Sequence, residues 1–107
     1  MRLPLLKICG LRHQEQAAAI AAMGVTAIGV IAVAASPRFL APQRRPALFR
    51  AAKAAGPGCL GVLVVADAAD AELDWHTGGH GHDIVQLHGH ESVERCRQLR
   101  QSLGVQV

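Results

Sequence analysis

Apolar residues along this chain fall into two alternating rhythms. Short runs in which nearly every position is aliphatic cover residues 3–9, 27–33, 59–65 and 84–87. That is strand length, and continuous apolarity suits strands covered on both faces. Between them, residues 13–23 and 42–55 carry alanines and polar residues at helical spacing, and residues 68–76 have room for a short helix. A last helix opens at Ser92, whose hydroxyl can cap a first turn. Glycine marks the stops: Gly24, Gly56-Pro57-Gly58 and Gly104. Pro46, inside the second helical segment, predicts an irregular first turn there. Residues 34–41 and 77–82 read as loops, and residues 105–107 as the opening of a fifth strand.

Strands alternating with helices predict βα units and a parallel sheet. No linker or low-complexity tract interrupts residues 1–107, so one domain is expected. Two closures stay open on this pattern alone. One is an open doubly wound sheet; the other is part of a (βα)8 TIM barrel, which takes about 250 residues when complete. In either, ligands bind at the carboxyl ends of the strands.

Composition narrows the class of function. The formal net charge is +3, and it comes mostly from arginines spread over the predicted helix surfaces. No basic run is interleaved with aromatics, which argues against nucleic acid as a partner. The apolar run at residues 27–35 is far short of the ~20 residues a membrane span needs. Lys7 interrupts the only apolar stretch that a secretory leader could use. Cys9, Cys59 and Cys96 are odd in number and widely spaced, unlike a disulfide framework. A cytoplasmic, reduced chain is the expectation.

Candidate chemistry begins in the first strand. Side chains alternate across a strand, so Lys7 and Cys9 share a face. An inward lysine is costly without a partner or a task. An ordinary thiol, with a pKa of about 8.5, is little ionised at neutral pH, and a neighbouring ammonium favours its thiolate. The pair therefore reads as a base under preparation, or else as a core cysteine beside a lysine that reaches to solvent. Polar residues gather after the other strands too: Ser36-Pro37-Arg38 after the second, Asp67 after the third, and Gln86 and His88 on one face of the fourth. Asp67 reads as a strand end and Asp83 as a residue preceding a strand. His76, His80, His82, His88 and His90 are close in sequence and suggest zinc or nickel. The glycine-rich loop lacks fixed ligand spacing, however, and a variable surface loop is the plainer reading. Cys59 and Cys96 read as packing residues, and Trp75 as cover for the end of the sheet.

Lys7-Ile8-Cys9-Gly10-Leu11, Ser36-Pro37-Arg38-Phe39, Gly61-Val62-Leu63-Val64 and Val85-Gln86-Leu87-His88-Gly89, in that order and spacing, resemble the amino-terminal half of the phosphoribosylanthranilate isomerases. The resemblance runs along essentially the whole chain. It implies a partial (βα)8 barrel and an enzyme of tryptophan biosynthesis that uses neither metal nor organic cofactor. The family reaction is the Amadori rearrangement of N-(5-phosphoribosyl)anthranilate to 1-(2-carboxyphenylamino)-1-deoxyribulose 5-phosphate. By that resemblance Cys9 is the general base, Lys7 supports it, Arg38 faces the anthranilate carboxylate, and Gln86 and His88 position the substrate. The family's general acid and phosphate-binding loops belong to later strands. Leu63-Val64-Val65 stands where the family usually has Phe-Val-Asn, and Val30-Ile31-Ala32-Val33 where an aromatic is common, so altered pocket walls are expected. A half barrel with open edges is expected to be a dimer, an aggregate or a marginal monomer, and to be inactive by itself. The rival readings are a non-catalytic α/β chain that binds a small molecule or partner, and a metal-binding protein using the histidine loop.

Overall fold

The computed structural model describes residues 5–70, 72–73, 81–103 and 106–107. Four strands, β1 (Lys7–Ile8), β2 (Ala27–Ile31), β3 (Leu60–Val65) and β4 (Ile84–Leu87), form one sheet in the order β1-β2-β3-β4. Every neighbouring pair is parallel, with Lys7 opposite Ala27, Ile28 opposite Gly61 and Val64 opposite Gln86. Gln106 makes a parallel bridge to Ile84, and the Val85 N–H donates to its carbonyl at 2.8 Å. The expected fifth strand therefore begins beside β4. Chain order equals spatial order, so the sheet has no reversal point of the kind a doubly wound fold requires. That leaves the barrel as the closure.

Three α-helices are described: α1 (Gln14–Ala22), α2 (Arg45–Ala55) and α3 (Val93–Ser102). Pro42–Arg44 forms a 3-10 turn before α2, and Pro46 lies in the first helical turn, where its missing N–H leaves no bond unmade. The irregular start that Pro46 predicts is therefore observed. Gly24, in the left-handed region at φ +92°, follows α1. Asp70, Glu72 and Leu73 are helical, but the rest of the expected helix at 68–76, Trp75 included, lies outside the described residues.

All the described helices cover one face of the sheet. Ala17 and Ala21 of α1, Leu48, Phe49 and Ala52 of α2 and Leu99 of α3 share a core with Ile28, Val30, Leu63, Val65 and Val85. The opposite face carries a smaller cluster, Ala27, Ile31, Val62 and Val64, with Cys9, Val33 and Ile84 against it. The near-continuous apolarity of the strands thus has two sources, helices outside and barrel interior inside. If the sheet were flat, β1 and β4 would stand three strand spacings apart, about 14 Å. The Lys7 ammonium nevertheless donates to Gln86 Oε1, so the inner face is concave.

Arg45 corrects the expectation of arginines at the helix surface. It is fully buried, its Nε donates to the Leu40 carbonyl at 2.9 Å, and its guanidinium lies 5.6 Å from the centre of the Phe39 ring. Burial pushes its pKa down to about 10. Nothing in the local pattern separates Arg45 from its exposed neighbour Arg44.

Candidate active site

The site is assembled where the strands end. Beyond β1 the chain passes through Cys9 to Gly10, whose backbone at φ +83° turns it away from the sheet. The N–H groups of Gly10 and Leu11 both donate to the Gly29 carbonyl, at 3.0 and 3.2 Å. After β2, the Leu40 N–H returns to the Ile31 carbonyl at 3.0 Å and folds residues 34–41 back over the sheet edge. Within that loop the Arg38 N–H donates to Ser36 Oγ at 3.1 Å, and Arg12 Nη1 donates to the Pro37 carbonyl at 3.3 Å. These contacts bring Arg38 over Gly10: a methyl group built on Gly10 would lie 2.6 Å from Arg38 Nη1.

Lys7, Cys9, Arg38, Gln86 and His88 then line a single cavity of about 430 Å³, with Ser36 beside them and Ile31, Val33, Val64 and Ala66 as its apolar wall. All five residues singled out from the sequence are brought together, although they come from three separate parts of the chain. Cys9 and Gln86 are half-buried; Lys7, Arg38 and His88 are exposed. Three cationic or protonatable groups around an apolar wall suit a ligand that is anionic at one end and aromatic or aliphatic in its body.

Asp67 and Asp83 are both engaged elsewhere. Asp67 has a left-handed backbone at φ +49°, and its Oδ1 accepts the His90 N–H at 2.8 Å. Glu91, which sequence reasoning does not single out, accepts the N–H groups of Asp67 at 2.7 Å and Gly89 at 2.8 Å. The loops after β3 and β4 are thereby tied together beside His88. An acidic residue just before a helix cap is the one signal that could have found Glu91. Asp83 lies at the opposite end of the strands, where it accepts from Lys53 Nζ and from the Gly61 N–H at 2.8 Å.

The histidines close in sequence are divided by β4. His82 is buried at the amino end, 6.1 Å from the Phe49 ring, whereas His88 and His90 are exposed at the carboxyl end. The extended chain that runs from His82 through β4 to His88 spans roughly 20 Å, which removes His82 from any shared ligand set with them. His76 and His80 lie outside the described residues. Among the described residues no three His, Cys, Asp or Glu side chains converge on a metal position.

The altered strand residues prove to point in different directions. Leu63 and Val65 are buried beneath the helices, so that departure changes the outer core and not the pocket. Ile31 and Val33 line the cavity, so the second-strand departure falls on the pocket wall. A second cavity, about 570 Å³, occupies the amino-terminal part of the concave face and the open side of β4, against Leu6, Ala27, Val62, Ile84 and Cys96. Its concave part belongs to the inner face of the barrel, whereas Cys96 and Arg100 belong to α3 on the helical side; its polar groups are few, Lys7, Thr26, Gln86 and Arg100 among them.

Parallel βα units wound in one direction, with polar groups gathered at the carboxyl ends of the strands, define part of a (βα)8 barrel. Residues 6–107 match the family model of N-(5'-phosphoribosyl)anthranilate (PRA) isomerase, and the chain belongs to that family. The N-(5'-phosphoribosyl)anthranilate isomerase of Synechococcus elongatus is 41% identical over 95 residues, which is 89% of this chain and 43% of that protein. The crystal structure of the Thermus thermophilus isomerase superposes with a TM-score of 0.77 at 28% identity, covering 95% of this chain and 50% of that one. A phosphoribosyl anthranilate isomerase in complex with reduced 1-(o-carboxyphenylamino)-1-deoxyribulose 5-phosphate shares the fold, with a TM-score of 0.80 at 24% identity over 96% of this chain and 52% of that one. The chain thus spans about half the length of the relatives it matches.

Proposed function

We propose that this chain carries the base-bearing half of a phosphoribosylanthranilate isomerase site and takes a phosphosugar joined to an aromatic carboxylate. The observation that carries this reading is the convergence of Lys7, Cys9, Arg38, Gln86 and His88 on one cavity. In the family reaction an acid assists opening of the ribose ring, the resulting Schiff base loses the proton on the sugar's C2, and the enolamine tautomerises to the ketone. Cys9 takes the C2 proton. Lys7 contributes the cation on the same wall, held across the cavity by Gln86. Arg38, lying over Gly10 at the rim, pairs with the anthranilate carboxylate, since a guanidinium fork matches a carboxylate in geometry and charge. His88, at the end of β4, completes the rim. The family's acid and phosphate loops have no match among these residues, so the chain alone is expected to bind without turning over. It acts in the cytoplasm.

The test is the loss of anthranilate-type fluorescence as phosphoribosylanthranilate is consumed, using chain from a host without its own isomerase and Cys9→Ala beside it. Binding of the reduced product analogue is followed by NMR on the same samples. Binding that shifts the Cys9, Arg38 and His88 signals, without turnover, is the expected result. Turnover abolished in Cys9→Ala would place the complete activity in these residues. A folded chain that neither binds nor turns over would refute the reading.

Self-association through the concave face is part of the same proposal, with a second copy as occupant. Leu5 is 87% exposed at the β1 edge, and the apolar cavity continues from it across the sheet. Open strand edges recruit further strands. Sedimentation should show a dimer, and a monomer at all concentrations would exclude it. No described helix is long and apolar enough to cross a membrane.

A further inference from the structure

Gly29 lies in the middle of β2, on the concave side between Ala27 and Ile31. A methyl group built on it would stand 2.8 Å from Cys9 Sγ and 3.3 Å from Cys9 Cβ, so the sulfur occupies the space a side chain would take. Glycine in a strand interior weakens the strand, and its presence marks a close approach by another group. Here the approaching group is the Cys9 thiol. The same residue's carbonyl receives the N–H groups of Gly10 and Leu11, at 3.0 and 3.2 Å. Gly10 is in turn the surface on which the Arg38 guanidinium lies.

We propose that Gly29 is a positioning residue of this site: its missing side chain forms the seat of the Cys9 thiol, and its carbonyl holds the turn that supports Arg38. The proposal rests on the reading of Cys9 and Arg38 as site residues. A purely structural role for Gly29 would come from strand geometry and would not depend on what stands at position 9. A seating role makes the two positions interdependent, as neighbours in contact are.

The experiment is a double-mutant cycle with Gly29→Ala, Cys9→Ala and the pair combined, read by thermal unfolding of the intact chain. Alkylation of Cys9 relative to Cys96 by iodoacetamide is mapped by peptide mass on the variants that keep the thiol. Gly29→Ala is expected to lower the midpoint, Cys9→Ala to restore most of that loss, and the Cys9:Cys96 alkylation ratio to change several-fold in Gly29→Ala. If Gly29→Ala does not fold, a folded double variant supports the seat, and failure of both to fold overturns it. An equal loss with and without the thiol overturns it, as does an unmoved alkylation ratio. These readouts do not require turnover, so a chain that neither binds nor turns over but shows the expected coupling would refute the isomerase reading and leave the seat standing.

Discussion

Arg38 owes its placement to a residue with no side chain. Gly10 combines a left-handed backbone with direct contact to the guanidinium, so substitution there has two separable costs. Gly10→Ala is expected to destabilise by about 1–2 kcal/mol from the backbone alone, measured by urea denaturation, and to weaken binding of the reduced product analogue further. The cysteines separate by environment in the same way. Burial pushes the Cys59 thiol upward, outweighing its hydrogen bond with the Ile28 backbone, and it sits beneath the sheet. Cys9 opens on the cavity. Iodoacetamide should therefore modify Cys9 well before Cys59, as peptide mapping will show; the reverse order would mean that the Cys9 seat is closed in solution. Lys7, Cys9, Gln86 and His88 are legible as pairs because strand alternation puts residues two apart on one face. Gly29 and Glu91 are not, since their importance lies in atoms brought to them from other segments.

The helices and strands follow local rules with a few informative departures. Ser92 accepts the Arg95 N–H at 3.0 Å and caps α3 as its type and position predict. Ser92→Ala should cost about 1 kcal/mol, seen as a lower urea midpoint with an unchanged slope. β4 spans the expected residues, whereas β1 is shorter than the apolar run suggests. At its start the Leu6 N–H is taken by Thr26 Oγ1 at 3.0 Å, and past Ile8 the turn at Gly10 draws the chain off the ladder. Apolarity says that a segment is buried but not where its backbone partners cease to be a strand.

At the scale of the molecule, the amino end of the barrel carries its own clamp, far from the site. Asp83 joins Lys53 of α2 to the backbone of β3. Burial alone would raise its carboxyl; the Gly61 N–H and Lys53, with a smaller effect from His82, outweigh burial and hold it below the ordinary aspartate range. A depressed folded value stabilises above the unfolded pKa and is lost as pH falls through the folded one. Asp83→Asn should therefore be less stable than the parent at neutral pH, and the gap in melting temperature should narrow below about pH 5. A gap independent of pH would mean that the carboxylate's charge contributes nothing. The order of strands and helices, the cap of α3 and the pairing of Lys7 with Cys9 and Gln86 with His88 were determined by the sequence alone, because each depends on residues within a turn or two along the chain. Which face the helices cover, the burial of Arg45, the separation of His82 from His88 by a strand, and the seat that Gly29 leaves for Cys9 were decided only by the tertiary structure. Those features arise when the curled sheet brings distant segments within a few ångströms, and no local pattern records that distance.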